Sequence, residues 1–225
     1  MAIDITKRKI IDLTKKVGVI LEKRNLSQIR AQVVLVLDIS KSMNQMFKSG
    51  AVQSIIERIL PLAMKFEDDG AVDVMLFGTR AYQLPAVSID EIDGYVEREV
   101  LSEFRIIEAT KYATALKLIS NKYQEKQSHP VFVVFITDGN NSDKKESTEL
   151  IVNLSCRPIF IQFVGIGKED FPYLNKLDNL SGRFVDNAGF MHVNDIENID
   201  DEKLYNRLLN EFPDWLNVVR EKNIL

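Results

Sequence analysis

Two short apolar runs, each closed by an acidic residue, constrain this chain more than anything else in it. Residues 33–37, Val-Val-Leu-Val-Leu, end in Asp38, and residues 131–136, Val-Phe-Val-Val-Phe-Ile, end in Thr137-Asp138. Unbroken runs of β-branched and aromatic residues at this length are what a strand covered on both faces needs. A third run, 159–165, follows Pro158, and a fourth, 74–77, closes at Gly78. Between the runs the apolar spacing turns helical. Residues 51–66 set Val52, Ile55, Ile56, Ile59, Ala63 and Phe66 on one stripe, with Pro61 expected to bend the helix. Residues 111–123 do the same with Tyr112, Ala115, Leu116 and Ile119. Asp143, with Glu146 three residues on, reads as the N-cap and capping box of a helix through Leu154.

Alternation of strand and helix predicts an α/β fold with a doubly wound, mostly parallel sheet and helices on both faces. The stretch 81–84, beside Pro85, is too short and polar for the centre and is expected as one antiparallel edge strand. Residues 5–21 predict an extra N-terminal helix. Residues 201–222 predict one or two closing helices, interrupted at Pro213, with Trp215 in the core. A chain of 225 residues with 45% apolar content can bury one sizeable core. The expected organisation is an N-terminal helical extension over 1–30 packed on a single domain over 31–225.

A formal net charge of −4 argues against a nucleic-acid binder, which needs a concentrated basic surface. Lys7, Arg8, Lys9, Lys15 and Lys16 fit the solvated face of the first helix. The single cysteine, Cys156, excludes an internal disulfide and is expected as a buried, inert thiol in a reducing compartment. His129 and His192 stand in no ligand or triad spacing. No segment approaches the roughly 18 apolar residues of a membrane span. The expectation is a cytoplasmic protein with no integral membrane segment.

In open parallel sheets, ligands collect beyond the carboxyl ends of the strands, where strand order reverses. Three segments are expected there: Asp38-Ile39-Ser40-Lys41-Ser42, then Thr110, then Asp138. Asp38, Ser40, Ser42, Thr110 and Asp138 all offer oxygen, and none offers nitrogen or sulfur. That set suits a hard cation, Mg²⁺ first and Mn²⁺ or Ca²⁺ as alternatives, and argues against zinc. Two carboxylates leave a dication near neutrality, and five side chains leave one of six positions for a partner's Asp or Glu. Singly, the hydroxyls serve as readily as caps or turn formers, and Asp138-Gly139 as a turn. Their joint placement after the two most apolar strands favours a site. Gly139 is expected to let the backbone turn beside the ion. Asn140, Asn141 and Lys111 are expected either at its rim or as turn residues.

These residues resemble the metal-ion-dependent adhesion site of von Willebrand factor A (vWA) domains, whose pattern is D-x-S-x-S, a separate Thr and a later Asp. The family is usually Gly-rich here, where this chain has Lys41 and Ala109. A wider resemblance covers nearly the whole chain. Ser49-Gly50-Ala51-Val52-Gln53, Leu60-Pro61-Leu62-Ala63, Phe66-Glu67-Asp68-Asp69-Gly70, Phe163-Val164-Gly165-Ile166-Gly167, Val185-Asp186-Asn187-Ala188 and Phe212-Pro213-Asp214-Trp215-Leu216 are similar to the TerF-type vWA domain of bacterial tellurium-resistance and stress-response proteins. That resemblance implies a metal-dependent protein-binding scaffold in a cytoplasmic setting, with peripheral association with a membrane complex left open.

Enzyme readings are weaker. Gly165-Ile166-Gly167 has Asp170 where a dinucleotide fingerprint needs its third glycine, and there is no phosphate-binding P-loop. A Mg²⁺-dependent phosphoryl hydrolase could use Asp38 and Asp138, but Ser40 stands where such enzymes place an acidic proton shuttle. A metal-free scaffold is the remaining alternative. No catalytic residue is assigned.

Overall fold

Strand β1 (Gln32–Asp38) is buried at every position after its first, as the apolar run requires. In the computed structural model, which describes residues 2–67, 69–123 and 127–225, it lies at the centre of a six-stranded sheet. The other strands are β2 (Asp73–Phe77), β3 (Ala81–Gln83), β4 (Val131–Thr137), β5 (Ile159–Ile166) and β6 (Ala188–Val193). Their spatial order is β3-β2-β1-β4-β5-β6, parallel throughout except for β3, which runs antiparallel to β2 at one edge. The doubly wound sheet with a single antiparallel edge strand is therefore present. From β1 the chain moves first to β2 and later returns to β4 on the opposite side. The order reverses between β1 and β4.

Alternate residues of each strand feed two apolar layers. On one face, Val33, Leu35, Leu37, Phe132, Val134 and Phe160 pack with α1 (Ala2–Lys23), α3 (Ala51–Phe66), α7 (Asp201–Leu208) and α8 (Phe212–Glu221). The other face sets Val34, Val36, Val133, Phe135 and Ile161 against α4 (Tyr112–Lys122), α5 (Lys144–Leu154) and α6 (Pro172–Asp178). A short helix, α2 (Asn44–Ser49), leads into α3 through Gly50, whose φ of 85° lies in the left-handed region that favours glycine. The N-terminal helix buries Ile10, Leu13, Val17, Ile20 and Leu21. Its stripe rests on α3. Pro213 falls in the first turn of α8, where its missing N–H costs nothing, and Trp215 is buried against Phe160 and Phe212.

Helix α3 runs continuously through Pro61. Other expectations change. Asp143 sits at the N-cap of α5 but makes no side-chain cap there. Its carboxylate instead accepts the Tyr112 and Ala113 N–H groups at 3.1 and 2.9 Å, capping α4. Cys156 is exposed, in the turn after α5, not buried. Of the stretches quoted for the family resemblance, only Asp68 lies outside the described residues. Strand β6, helix α6 and a π-helical turn (Val96–Leu101) had no counterpart in the sequence reading.

Candidate metal centre

The reversal point between β1 and β4 puts the two acidic strand ends side by side. Leu37 pairs with Ile136 in the parallel ladder, so Asp38 and Thr137 emerge together at the carboxyl edge. The Thr137 hydroxyl donates to Oδ2 of Asp38 at 2.7 Å, and the Ser40 N–H donates to its Oδ1 at 2.7 Å. One residue beyond the end of β4, Asp138 accepts the Ser42 hydroxyl on Oδ1 at 2.7 Å. Ser42 and Ser40 bring their hydroxyl oxygens within 3.1 Å of each other. Four of the five expected residues thus form one chain of contacts: Asp38, Ser40, Ser42, Asp138. The spacing explains it, because Ser40 and Ser42 turn the same way as the chain leaves the strand through a single turn of 3₁₀ helix (Lys41–Met43).

Thr110 is held on the neighbouring loop. Glu108 pairs with the loop after β1 through its backbone, donating to Ile39 O at 3.3 Å and accepting from Lys41 N at 3.1 Å. Two residues on, the Thr110 carbonyl accepts the Ser142 N–H at 3.2 Å, tying its loop to the one that follows Asp138. The Thr110 hydroxyl makes no hydrogen bond with the other four residues.

Sequence reasoning missed two supporting groups. Thr137 is one, and only the strand register reveals its role. Glu108 is the other. Its carboxylate accepts the Thr79 hydroxyl and N–H, the Arg80 N–H and the Tyr82 hydroxyl, and so clasps the turn between β2 and β3. Gly78 is required there, since a Cβ would stand 2.5 Å from Cβ of Glu108. Desolvation opposes the ionised form of Glu108, but these donors outweigh it and hold the carboxyl below its usual range.

Gly139 has no such constraint. A Cβ there meets nothing within 4 Å and its φ is not positive, so the chain bends at 138–139 without needing glycine. Tyr112 holds that segment instead, donating its hydroxyl to Gly139 O at 2.7 Å. Asn141 is buried, donating to Asp143 and Ser147, while Asn140 and Lys111 are exposed.

Electrostatics at the site favour added positive charge. Asp38 is fully buried, and burial pushes its carboxyl up to about 6 against the lowering effect of Thr137 and Ser40, with Asp138 adding to the rise. Asp138 is also raised, first by burial, with the Ser42 hydroxyl opposing and Glu169 contributing. The hydrogen bonds to both carboxylates come from neutral donors. A dication fits this set, since it compensates both charges with oxygen ligands alone. Among the described residues no three His, Cys, Asp or Glu side chains gather as a metal-holding group. A cation here would rest on two carboxylates and the hydroxyls.

A doubly wound sheet whose order reverses between two strands tipped with Asp, one of them leading into D-x-S-x-S, defines a domain of the vWA class. The chain belongs to the vWA-TerF-like family, described as vWA found in TerF C terminus, which matches residues 30–225. A protein of Bacillus subtilis (strain 168), named Uncharacterized protein YcbR, is 43% identical over 220 residues, covering 96% of this chain and 90% of that protein. Among solved structures, the SpRpn10 VWA domain matches with a TM-score of 0.60 at 12% identity, over 79% of this chain and 95% of that one. Proximal thread matrix protein 1 from the mussel byssus, with a zinc occupied MIDAS motif, matches with a TM-score of 0.58 at 17% identity, over 82% of this chain. The chain spans about half the length of that mussel protein, 46%. At these identities the two structures show the fold.

Proposed function

We propose that this chain is a divalent-cation-dependent protein-binding module and not an enzyme. Asp38, Ser40, Ser42, Thr110 and Asp138 would hold the ion, directly or through water, and a partner Asp or Glu would complete its shell. The observation that carries this reading is the meeting of the Asp38 and Asp138 loops through Ser40 and Ser42, at 2.7 and 3.1 Å contacts, at the reversal point of the sheet. When bound, the ion supplies a positive charge with an exchangeable position for an external carboxylate. Lys41 is exposed beside the loop and adds a cation that lowers metal affinity or biases partner choice. Ser40, unable to shuttle a proton near neutral pH, supports binding over phosphoryl hydrolysis.

Mg²⁺ is the expected ion, with Mn²⁺ and Ca²⁺ next. Zinc in the motif of the mussel protein puts zinc in the panel to be tested. The family to which the chain belongs supports a bacterial tellurium-resistance or stress-response scaffold, acting in the cytoplasm or peripherally on a membrane complex. No helix among the described residues is long and apolar enough to cross a membrane. The 31–225 segment is taken as the vWA domain, with 1–30 as its helical extension.

Thermal unfolding with and without cation tests the proposal. A ligand at about 100 times its Kd stabilises the folded state by about 2.7 kcal/mol. The wild type should gain on that order from saturating Mg²⁺ and lose it to chelator, while Asp138→Ala should not respond. Identical melting in all conditions, for every cation in the panel, removes the metal from the function. Phosphatase activity lost in Asp38→Asn would instead support the hydrolase.

A further inference from the structure

Helix α6 and the first half of α5 flank a second feature, an open cleft of about 530 Å³. Three lysines line it, Lys144 and Lys145 from α5 and Lys176 from α6, with Glu149 as the single acidic member. All three lysines are exposed, and none is in an ion pair among the described residues. The floor is apolar, formed by Pro172 and the buried ring of Tyr173, with Lys144 Nζ 5.9 Å from the ring centroid. Of the acids near these lysines, Glu146 pairs with Lys117 and the Asp143 carboxylate caps α4, while Glu149 is exposed in the cleft itself. On a protein of net charge −4, such a concentration of unpaired positive charge is selective.

We infer that this cleft binds an acidic segment of the protein partner, extending the contact made at the metal. The inference deepens the metal-dependent reading and rests on it. Asp138 and Lys144 are six residues apart, so at most about 20 Å separates the two sites. Asn140 ties the intervening loop to the loop before α6, donating to Asp170 O at 2.9 Å. One extended acidic peptide can therefore place a carboxylate at the cation and the following ones over the lysines. An acidic peptide suits the cleft better than a single phosphate, because the lysines come from two helices with an apolar floor for Glu methylenes between them.

The test uses the full chain and a fluorescein-labelled octaglutamate peptide, read by anisotropy at low salt. Wild type should bind with Mg²⁺ present, and Lys144→Glu/Lys145→Glu/Lys176→Glu should weaken binding at least tenfold with unchanged melting temperature. Should that variant melt early, Lys144→Gln/Lys145→Gln/Lys176→Gln is used, with severalfold weakening expected. Chelator or Asp138→Ala should remove only part of the affinity, leaving a lysine-dependent remainder. Equal peptide binding by wild type and lysine variants overturns the cleft assignment while leaving the metal site standing. Lysine-dependent binding wholly indifferent to cation and to Asp138→Ala sinks the metal reading and, with it, the joint partner surface. Lysine-dependent capture of phosphatidylglycerol vesicles with no peptide binding also overturns it, in favour of a membrane.

Discussion

Thr137 on β4 donates its hydroxyl proton to the Oδ2 of Asp38 on β1 at 2.7 Å, joining the two strand ends that flank the reversal of the sheet. Asp38 is buried, so the bond carries more than a surface contact would: a hydrogen bond to a charged group contributes roughly 1.5–3 kcal/mol. Thr137→Val keeps the shape and removes the donor. Denaturant unfolding at pH 8 should show a loss on that order, smaller at pH 5, where Asp38 is largely protonated. Equal cost at both pH values would mean that Thr137 acts through packing alone.

The metal-free protein should lose stability as pH rises from about 4 to 8. Asp38 is raised to about 6 by burial. Glu67 is raised to about 7, first by burial and then by Asp69 and Asp73, against the Val33 N–H and Lys122. Glu211 is raised to about 7 by burial, Asp178 and Asp186, against Arg183. A raised carboxyl binds its proton more tightly in the folded state than in the unfolded chain. Its contribution is complete below the unfolded value and disappears as pH climbs through the folded one. Melting temperatures across this range should fall, and Glu67→Gln with Glu211→Gln should flatten the slope. Mg²⁺ should stabilise more at pH 8 than at pH 5, since the cation displaces the proton from Asp38.

Glu108 offers a separate handle on the site. It touches none of the proposed ligands with its carboxylate, yet its backbone pairs with the Asp38 loop and its side chain grips the Thr79-Arg80 turn. Glu108→Ala should release the loop carrying Thr110 and weaken Mg²⁺ binding about tenfold, by titration followed through melting temperature. Glu108→Gln retains an acceptor and should recover part of that loss. Unchanged affinity in both variants would make the clasp purely structural.

The sheet was legible because strands buried on both faces read as unbroken apolar runs: β1, β4 and β5 differ from expectation by a residue or so at their ends. Strand β6, Ala-Gly-Phe-Met-His-Val, was not. It alternates burial at the sheet edge and mixes in glycine and histidine, so neither a continuous run nor a clean period marks it. Asp38, Ser40, Ser42 and Asp138 could be named from spacing because adjacent strands deliver their ends to one place. Thr137 and Glu108 could not, since they act on partners 99 and 29 residues away, which only the register brings close. Cys156 misled for a related reason. It abuts an apolar strand in sequence, but the turn before that strand lies at the surface.

Asp143 shows how a correct residue can carry a different role. A capping box predicts that its carboxylate serves α5, where an N-cap is worth about 0.5–2 kcal/mol. In the folded chain that carboxylate spans to α4, accepting Tyr112 and Ala113 N–H groups, the Asn141 amide at 2.7 Å and the Ser147 hydroxyl at 3.1 Å. Removing it leaves the α4 N-terminus uncapped and strips partners from buried Asn141 and Ser147, which adds a desolvation cost of about 1–3 kcal/mol for an unpaired buried group. Asp143→Ala should therefore cost more than an ordinary cap, about 2–4 kcal/mol by denaturant unfolding, whereas Glu146→Ala, the other half of the supposed box, should cost under about 1 kcal/mol. Since α4 begins two residues after Thr110, Asp143→Ala should also lower Mg²⁺ affinity in the folded population, and Asp143→Asn, which keeps one acceptor oxygen, should retain more of it. A Glu146→Ala cost equal to that of Asp143→Ala would restore the local capping box and detach Asp143 from the proposed metal centre.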